Sequence, residues 1–290
     1  MLTVTHAFHR FISDLELTDA ERAEAVRQHP VVRDNLRAQF AGVDDTFLTG
    51  SYKRRTAIRP LKDIDIFLVL NETTHGNLRS QRPEVCLDRV RGALDRAYQS
   101  KVPTRPQGRS VNIVFAGTGI GYDIVPAFVH AYGGYLIPDR ERQAWIRTDP
   151  KKHEGVCISA NQRAGGALNP LIKAAKRWRT QSNTPLGSFH LETMAYEAFS
   201  AAPPSYPVGL QRLLGFLAQR VLRDCPEPAG LGAKVDAAMS WSERSGLAQR
   251  LQGAADLAQQ ALALDSVDRV EEAHGIWRRL LGDDYPERGR

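Results

Sequence analysis

Long apolar stretches are missing from this chain. No uninterrupted run among its 290 residues approaches the ~18 needed to span a membrane. The opening Met1-Leu2-Thr3-Val4-Thr5-His6 lacks a basic segment followed by an apolar one, so no secretory leader is expected. Cysteine is scarce. Cys86, Cys157 and Cys225 are odd in number and far apart, which argues against a disulfide framework and against a zinc site. A reducing cytoplasm is the simplest home for them. His153-Glu154 has no second histidine at metal spacing, so no zinc motif is read there. Internal repeats and low-complexity segments are also missing. Gly117, Gly119 and Gly121 have the look of a dinucleotide glycine loop, but a strand follows them rather than a helix, and a hairpin turn is the better reading.

What is present is an ordinary globular composition, 42% hydrophobic and 25% charged, in a length that allows one large domain or two modest ones. A formal charge of +6 and a pI near 9.3 favour anionic partners, though a merely soluble basic surface would give the same numbers. The cations cluster. Lys53, Arg54, Arg55, Arg59 and Lys62 form one group, and Lys173, Lys176, Arg177 and Arg179 another. The first group leads into Asp63-Ile64-Asp65-Ile66-Phe67-Leu68-Val69-Leu70, which reads as a strand at least half buried. Asp63 and Asp65 project from the same face, roughly 6–7 Å apart along it. Two like charges at the mouth of an apolar strand need compensation. A pair of Mg²⁺ ions about 3.5–4 Å apart supplies it. Upstream, Gly50-Ser51 gives a backbone that approaches a phosphate closely. Asp123, inside the β-rich Gly121-Tyr122-Asp123-Ile124-Val125-Pro126, is the best candidate for a third carboxylate, brought alongside by an adjacent antiparallel strand. Alone it would read as a surface residue on an edge strand.

The remaining organisation follows from periodicity. Val4, Phe8, Phe11, Ile12 and Leu15 predict an opening helix, and Thr18-Asp19-Ala20-Glu21 a capping box for a second, which Pro30 resets before it resumes to about Phe40. Asp44-Asp45 reads as a turn and 46–49 as a short strand. Residues 71–83 read as a polar loop, 85–99 as a helix, 110–115 and 122–128 as strands with Pro126 at an end or edge, and 135–138 as another extended piece. From about 155–165 onward helix dominates: 168–179, 189–199, an apolar stripe at Leu210, Leu213, Leu214, Leu217 and Val221, then 246–264 and 266–281. The tail Glu287–Arg290 is expected to fray. Lys173 and Lys176 share a helix face, turned either to solvent or to phosphate. Ser188 opens a helix, ordinarily as a cap, but a helix N-terminus also binds phosphate and Phe189 beside it can stack on a base. Trp145, Trp178, Trp241 and Trp277 read as core.

Taken together these residues resemble the DNA polymerase β-like nucleotidyltransferases, and more narrowly the bacterial cGAS/DncV-like nucleotidyltransferases (CD-NTases), which share the architecture of cGAS and oligoadenylate synthases. The resemblance covers about residues 1–200. It rests on Gly50-Ser51 with Asp63-Ile64-Asp65, on Tyr122-Asp123-Ile124-Val125-Pro126, and on Tyr135-Leu136-Ile137-Pro138-Asp139. It continues through Trp145, Thr148-Asp149-Pro150 and His153, Asn161, Asn169-Pro170-Leu171-Ile172-Lys173, Lys176-Arg177-Trp178 and Ser188-Phe189-His190-Leu191-Glu192. It implies an α+β fold: a mixed-sheet nucleotidyltransferase core with the N-terminal helix over 1–155, and a C-terminal helical, oligoadenylate-synthase-like domain over 156–290 closing the nucleotide cleft.

By the same resemblance Asp63, Asp65 and Asp123 hold two Mg²⁺ ions, with Mn²⁺ able to substitute. Gly50 and Ser51 cradle the donor triphosphate. Lys176 and Ser188 contact its terminal phosphates, Phe189 stacks on its base, and Asn161 lies near the acceptor base; Lys53 and Lys173 are counted with them. The implied reaction condenses nucleoside triphosphates into a cyclic di- or trinucleotide and releases pyrophosphate. The product is a second messenger in CBASS anti-phage defence, read by a separate effector protein, and a regulatory protein is allowed for. No DNA-sensing zinc ribbon is recognisable. Two other readings stay open: a polymerase-like or tRNA nucleotidyltransferase extending an RNA 3′ end, and a catalytically silent nucleotide- or RNA-binding module.

Overall fold

The computed structural model describes residues 2–99 and 101–286. The tail Glu287–Arg290, expected to fray, lies outside the described residues. Two compact units are present, one of Leu17–Glu154 and one of the residues up to Glu16 together with those from Gly155 onward.

The chain opens with α1 (Val4–Leu15), whose buried face carries Val4, Phe8, Phe11, Ile12 and Leu15 at the expected spacing. Phe8 packs edge-on against Trp277 and Tyr285, and Phe11 lies against the same tyrosine. An expected boundary at 155 groups this helix with the sheet; its aromatic face instead commits it to the helical unit.

In the unit Leu17–Glu154, α2 (Asp19–Gln39) starts at the predicted box, in which the Thr18 hydroxyl accepts from the Glu21 N–H at 3.1 Å and the Glu21 carboxylate accepts from the Thr18 N–H at 2.8 Å. The helix runs through Pro30, where a reset was expected. Proline removes one donor, and Ala25, Gln28, Val32 and Leu36 make one buried face on both sides of it. β1 (Val43–Thr49) includes Asp44-Asp45, expected as a turn; a register shift between Val43 and Asp45 absorbs them into the strand. A single helical turn, α3 (Gly50–Lys53), precedes β2 (Asp63–Leu70). The stretch expected as a loop holds α4 (Glu72–His75), capped by the Asn71 side chain, and a 3-10 turn (Gly76–Ser80). Then come α5 (Pro83–Ala97), β3 (Thr104–Pro106), β4 (Val111–Val114), β5 (Gly121–Val129), β6 (Tyr135–Asp139) and β7 (Ala144–Thr148). β3 and β7 were not anticipated.

The sheet is mixed, as expected, in the order β1-β2-β5-β4-β3, with β6 joining β5 to β7. β5 pairs with β4 only up to Ile124 and with β6 only from Phe128. Pro126 falls in that gap, so its missing N–H costs no ladder bond on that side although the strand is central. One face of the sheet is sealed. Ile64, Ile66, Leu68 and Leu70 of β2, Tyr122, Ile124 and Phe128 of β5, and Val111 and Ile113 of β4 form the main core with the inner faces of α2 and α5.

The division between the units falls within α6 (Pro150–Arg163). The helical unit continues with α7 (Leu168–Gln181), α8 (Ser188–Ala195), α9 (Tyr206–Arg220), α10 (Trp241–Ser266) and α11 (Val270–Leu281). α8 stops at Ala195 rather than 199, ahead of Pro203-Pro204. α10 starts five residues early because Ser240 and Glu243 form a second capping box. Trp178 and Trp277 are core, as expected. Trp241 is 67% exposed; at the first position of a surface helix it packs on nothing that would bury it. All three cysteines are free and buried, and burial pushes the thiols of Cys86 and Cys225 up to about 12 and about 11, far from nucleophilic thiolates. Among the described residues no helix is long and apolar enough to cross a membrane.

Glu21 ties α2 to the segment entering β2. Its carboxylate accepts from the Leu61 N–H at 3.1 Å and lies 3.5 Å from Arg59. Burial opposes its charge, but the hydrogen bonds from Thr18 and Leu61 and the Arg59 cation outweigh burial and hold the carboxyl below its usual range. A lowered acid stabilises the fold above its unfolded pKa, and that contribution is lost as pH falls through the lower folded value. Glu21→Gln is therefore expected to cost about 1–2 kcal/mol at pH 7. Urea titrations of both proteins from pH 7 to pH 3 should show the difference between them shrinking as Glu21 protonates.

Candidate active site

Because Ile64 and Ile66 face the core, Asp63 and Asp65 must face the other way. The alternation holds on β5, where Tyr122 and Ile124 are core and Asp123 shares the aspartate face. The strands run parallel, not antiparallel as the sequence reading expected. Asp65 lies opposite Asp123, and Asp63 opposite Gly121. A parallel pair needs a long crossover, and 71–120 provide it through α5, β3 and β4. Extending the register across the sheet gives one row of neighbours: Thr49 on β1, Asp65 on β2, Asp123 on β5, Asn112 on β4 and Arg105 on β3. Further along the same face Phe67, Val125, Ala127 and Ile137 close an apolar patch with Phe47, Tyr135 and Ile146.

The glycines make the row sterically feasible. Gly50 has φ +68°, and a Cβ there would overlap the Asp65 Oδ2. A Cβ on Gly121 would fall 2.5 Å from the Asp63 Oδ1 and 3.1 Å from the Asn112 Nδ2. The Gly121 N–H donates to the Lys62 carbonyl at 2.6 Å, pinning the start of β5 to the start of β2. Asn112 Nδ2 donates to Asp123 Oδ1 at 2.8 Å. Burial pushes the Asp123 carboxyl up and the Asp63 charge adds to the rise, while the Asn112 hydrogen bond and the Arg105 charge oppose it. Ser51 lies in the turn of α3, its carbonyl accepting from Thr56 and Ala57. Lys53 is paired with Glu154 at 3.6 Å.

A hard divalent cation fits this donor set: three carboxylates on one face, two of them register neighbours. Among the described residues no three acidic, imidazole or thiol groups are closed into a cage. That is compatible with Mg²⁺, which takes one or two carboxylates and completes its shell with water and substrate phosphates.

The other expected contacts lie in the helical unit. Lys173 and Lys176 are 3% and 4% exposed, so neither belongs to a solvated stripe. Lys173 is ion-paired with Glu16, and Lys176 with Glu192 at 2.6 Å. The face of α7 that carries them is its buried one, and a buried ammonium needs a carboxylate. The Ser188 hydroxyl accepts from Arg179 at 2.8 Å, and the same guanidinium reaches the Leu186 carbonyl. Phe189 is half-buried at the start of α8. Asn161 has a structural job, since its side-chain oxygen accepts from the Asn169 N–H at 3.0 Å and caps α7.

Sequence reasoning missed Asn112, Gly121 and Arg105. Asn112 carried the same signal that singled out Asp123, a polar residue inside an apolar strand. The carboxylate partners Glu16 and Glu192 left no local signal.

Residues 1–161 match the family model of the second messenger oligonucleotide or dinucleotide synthetase (SMODS) domain. The chain belongs to that family. A curated relative of this SMODS protein, a cyclic AMP-AMP-AMP synthase of an Acinetobacter species, is 28% identical over 309 residues, spanning 99% of this chain and 86% of the relative. Among solved structures, CdnC of Escherichia coli MS115-1 with ATP superposes with a TM-score of 0.77 at 18% identity, covering 98% of this chain and 99% of the other. Vibrio cholerae DncV, a cyclic AMP-GMP synthase in complex with a linear intermediate, superposes with a TM-score of 0.76 at 13% identity, covering 98% and 97%. The fold is that of the bacterial CD-NTases, and the protein is a nucleotidyltransferase.

Two outcomes are expected. Gly50→Ala should lower turnover about 100-fold by displacing Asp65, for about 1–2 kcal/mol of backbone strain, measured by steady-state rates beside thermal unfolding. Glu192→Ala should destabilise the helical unit by about 3–5 kcal/mol, while Lys176→Met/Glu192→Leu restores most of it, read by urea denaturation.

Proposed function

We propose that this SMODS protein joins nucleoside triphosphates into a cyclic oligonucleotide, releasing pyrophosphate at each transfer, with ATP among its substrates. The observation that carries the reading is the row that sets Asp65 beside Asp123 with Asp63 two residues along the same face. A pure binder has no use for a carboxylate cluster this costly to hold together. The adenylate content of the relative's product supports ATP.

Asp63, Asp65 and Asp123 would hold the divalent ions. Bound Mg²⁺ would supply acidification of the attacking ribose hydroxyl and neutralisation of the pyrophosphate leaving group. Asp123 is the group assigned to the acceptor hydroxyl, whose proton it would take up. Gly50 and Ser51 would admit the donor triphosphate against the start of β2, with a glycine where a Cβ would meet Asp65. Ser188 and Phe189 are assigned to the donor nucleotide, Lys53, Lys173 and Lys176 to its phosphates, and Asn161 to the acceptor side. The product serves as a signal in CBASS anti-phage defence, read by a separate effector.

The test is incubation with α-labelled ATP, CTP, GTP and UTP and Mg²⁺ or Mn²⁺, followed by phosphatase treatment and chromatographic separation. A phosphatase-resistant product is expected, lost to background in Asp63→Ala/Asp65→Ala, and omission of single nucleotides identifies its bases. Incorporation that appears only when RNA is added would reject the cyclase reading in favour of 3′-end extension.

A further inference from the structure

Asn112 is the polar member of an otherwise apolar strand, Val111-Asn112-Ile113-Val114, and is 6% exposed. A buried amide must find a partner, and here the partner is Asp123 Oδ1 at 2.8 Å. The register leaves little freedom. Asn112 lies directly opposite Asp123 on one side and Arg105 on the other, and Gly121 leaves the space in which its amide sits. An aliphatic residue would suit the strand better, so the amide answers the carboxylate beside it.

We propose that Asn112 is a positioning residue for nucleotidyl transfer. Its amide engages one oxygen of Asp123 and fixes the carboxylate rotamer in which Asp123 would serve the divalent ion. This rests on the reading of function given above. It differs from a packing role in what each substitution does. Asn112→Leu keeps the shape and removes the donor without adding charge; Asn112→Ala removes both.

The full chain, wild type and the Asn112→Ala, Asn112→Leu and Asp123→Ala variants, would be titrated with Mn²⁺ and free Mn²⁺ followed by electron paramagnetic resonance. Rates of product formation and thermal unfolding would be measured in parallel. Asn112→Ala and Asn112→Leu are each expected to weaken Mn²⁺ binding and to lower kcat by about 10–100-fold. KM for the nucleotides should stay within about twofold. If Asn112→Ala unfolds at a markedly lower temperature, the similarly shaped Asn112→Leu decides. Wild-type kcat and Mn²⁺ affinity in Asn112→Leu would overturn the proposal, as would a loss carried wholly by KM. If the wild type makes no product yet binds Mn²⁺ in a way that Asp123→Ala abolishes, the functional reading fails, and the Mn²⁺ titrations of the Asn112 variants still decide this one.

Discussion

Ile64, Ile66, Leu68 and Leu70 can be buried against α2 and α5 only if Asp63 and Asp65 point the other way, and the same alternation on β5 turns Asp123 out while Tyr122 and Ile124 go in. The in-register parallel pairing of β2 and β5 then leaves no choice about which carboxylates are neighbours. A slip of β2 by one residue would bury Asp63 and Asp65 and expose its own core side chains. Hydrophobic burial thus fixes the geometry of the acidic site, although no acidic residue contributes to the burial. The glycines at 50 and 121 remove the side chains that would otherwise collide with Asp65 and Asp63.

The treatment of charge elsewhere makes this row unusual. Asp139 is buried against Arg109 at 2.9 Å, Arg244 meets Asp236, and Arg220 meets Glu197 at 2.8 Å. In each case a buried ion is met by its opposite. Asp123 hydrogen-bonds to a neutral amide, and the Asp63 carboxylate raises its electrostatic burden while the charge of Arg105 offsets part of it. The fold pairs its buried charges elsewhere and gathers carboxylates here, and this is the place to which the proposed function assigns the divalent ions.

Much of this was legible in the sequence because it is local. The period-2 run from Asp63, the capping box at Thr18, the Gly50-Ser51 pair and the anomaly of Asp123 inside a β-rich stretch all lie within short windows. Strand direction does not. Whether β5 runs parallel or antiparallel to β2 depends on where β3 and β4 are placed, and β3 is three residues with little pattern of its own. Asn112 was legible in principle, yet its meaning depends on Asp123 lying across from it. Pro30 and Asp44-Asp45 misled because local breakers were overridden, in one case by a continuous buried face and in the other by a bulge.

The cationic clusters show where linear reading misleads most. Lys173, Lys176, Arg177 and Arg179 look like an open basic patch in the sequence. In the fold Lys173 meets Glu16, Lys176 meets Glu192, Arg177 meets Asp284, and Arg179 is spent on Ser188 and the Leu186 carbonyl. The first cluster behaves similarly, with Lys53 against Glu154 and Arg59 against Glu21. The net charge of +6 is therefore not a measure of the positive field available to a polyphosphate. A buried ammonium does not abandon its carboxylate without a large desolvation cost. For Lys176 to serve a triphosphate, Glu192 must remain its anchor. The lysine then acts as a positioned charge, with its orientation set by the buried acid beneath it and not by the substrate.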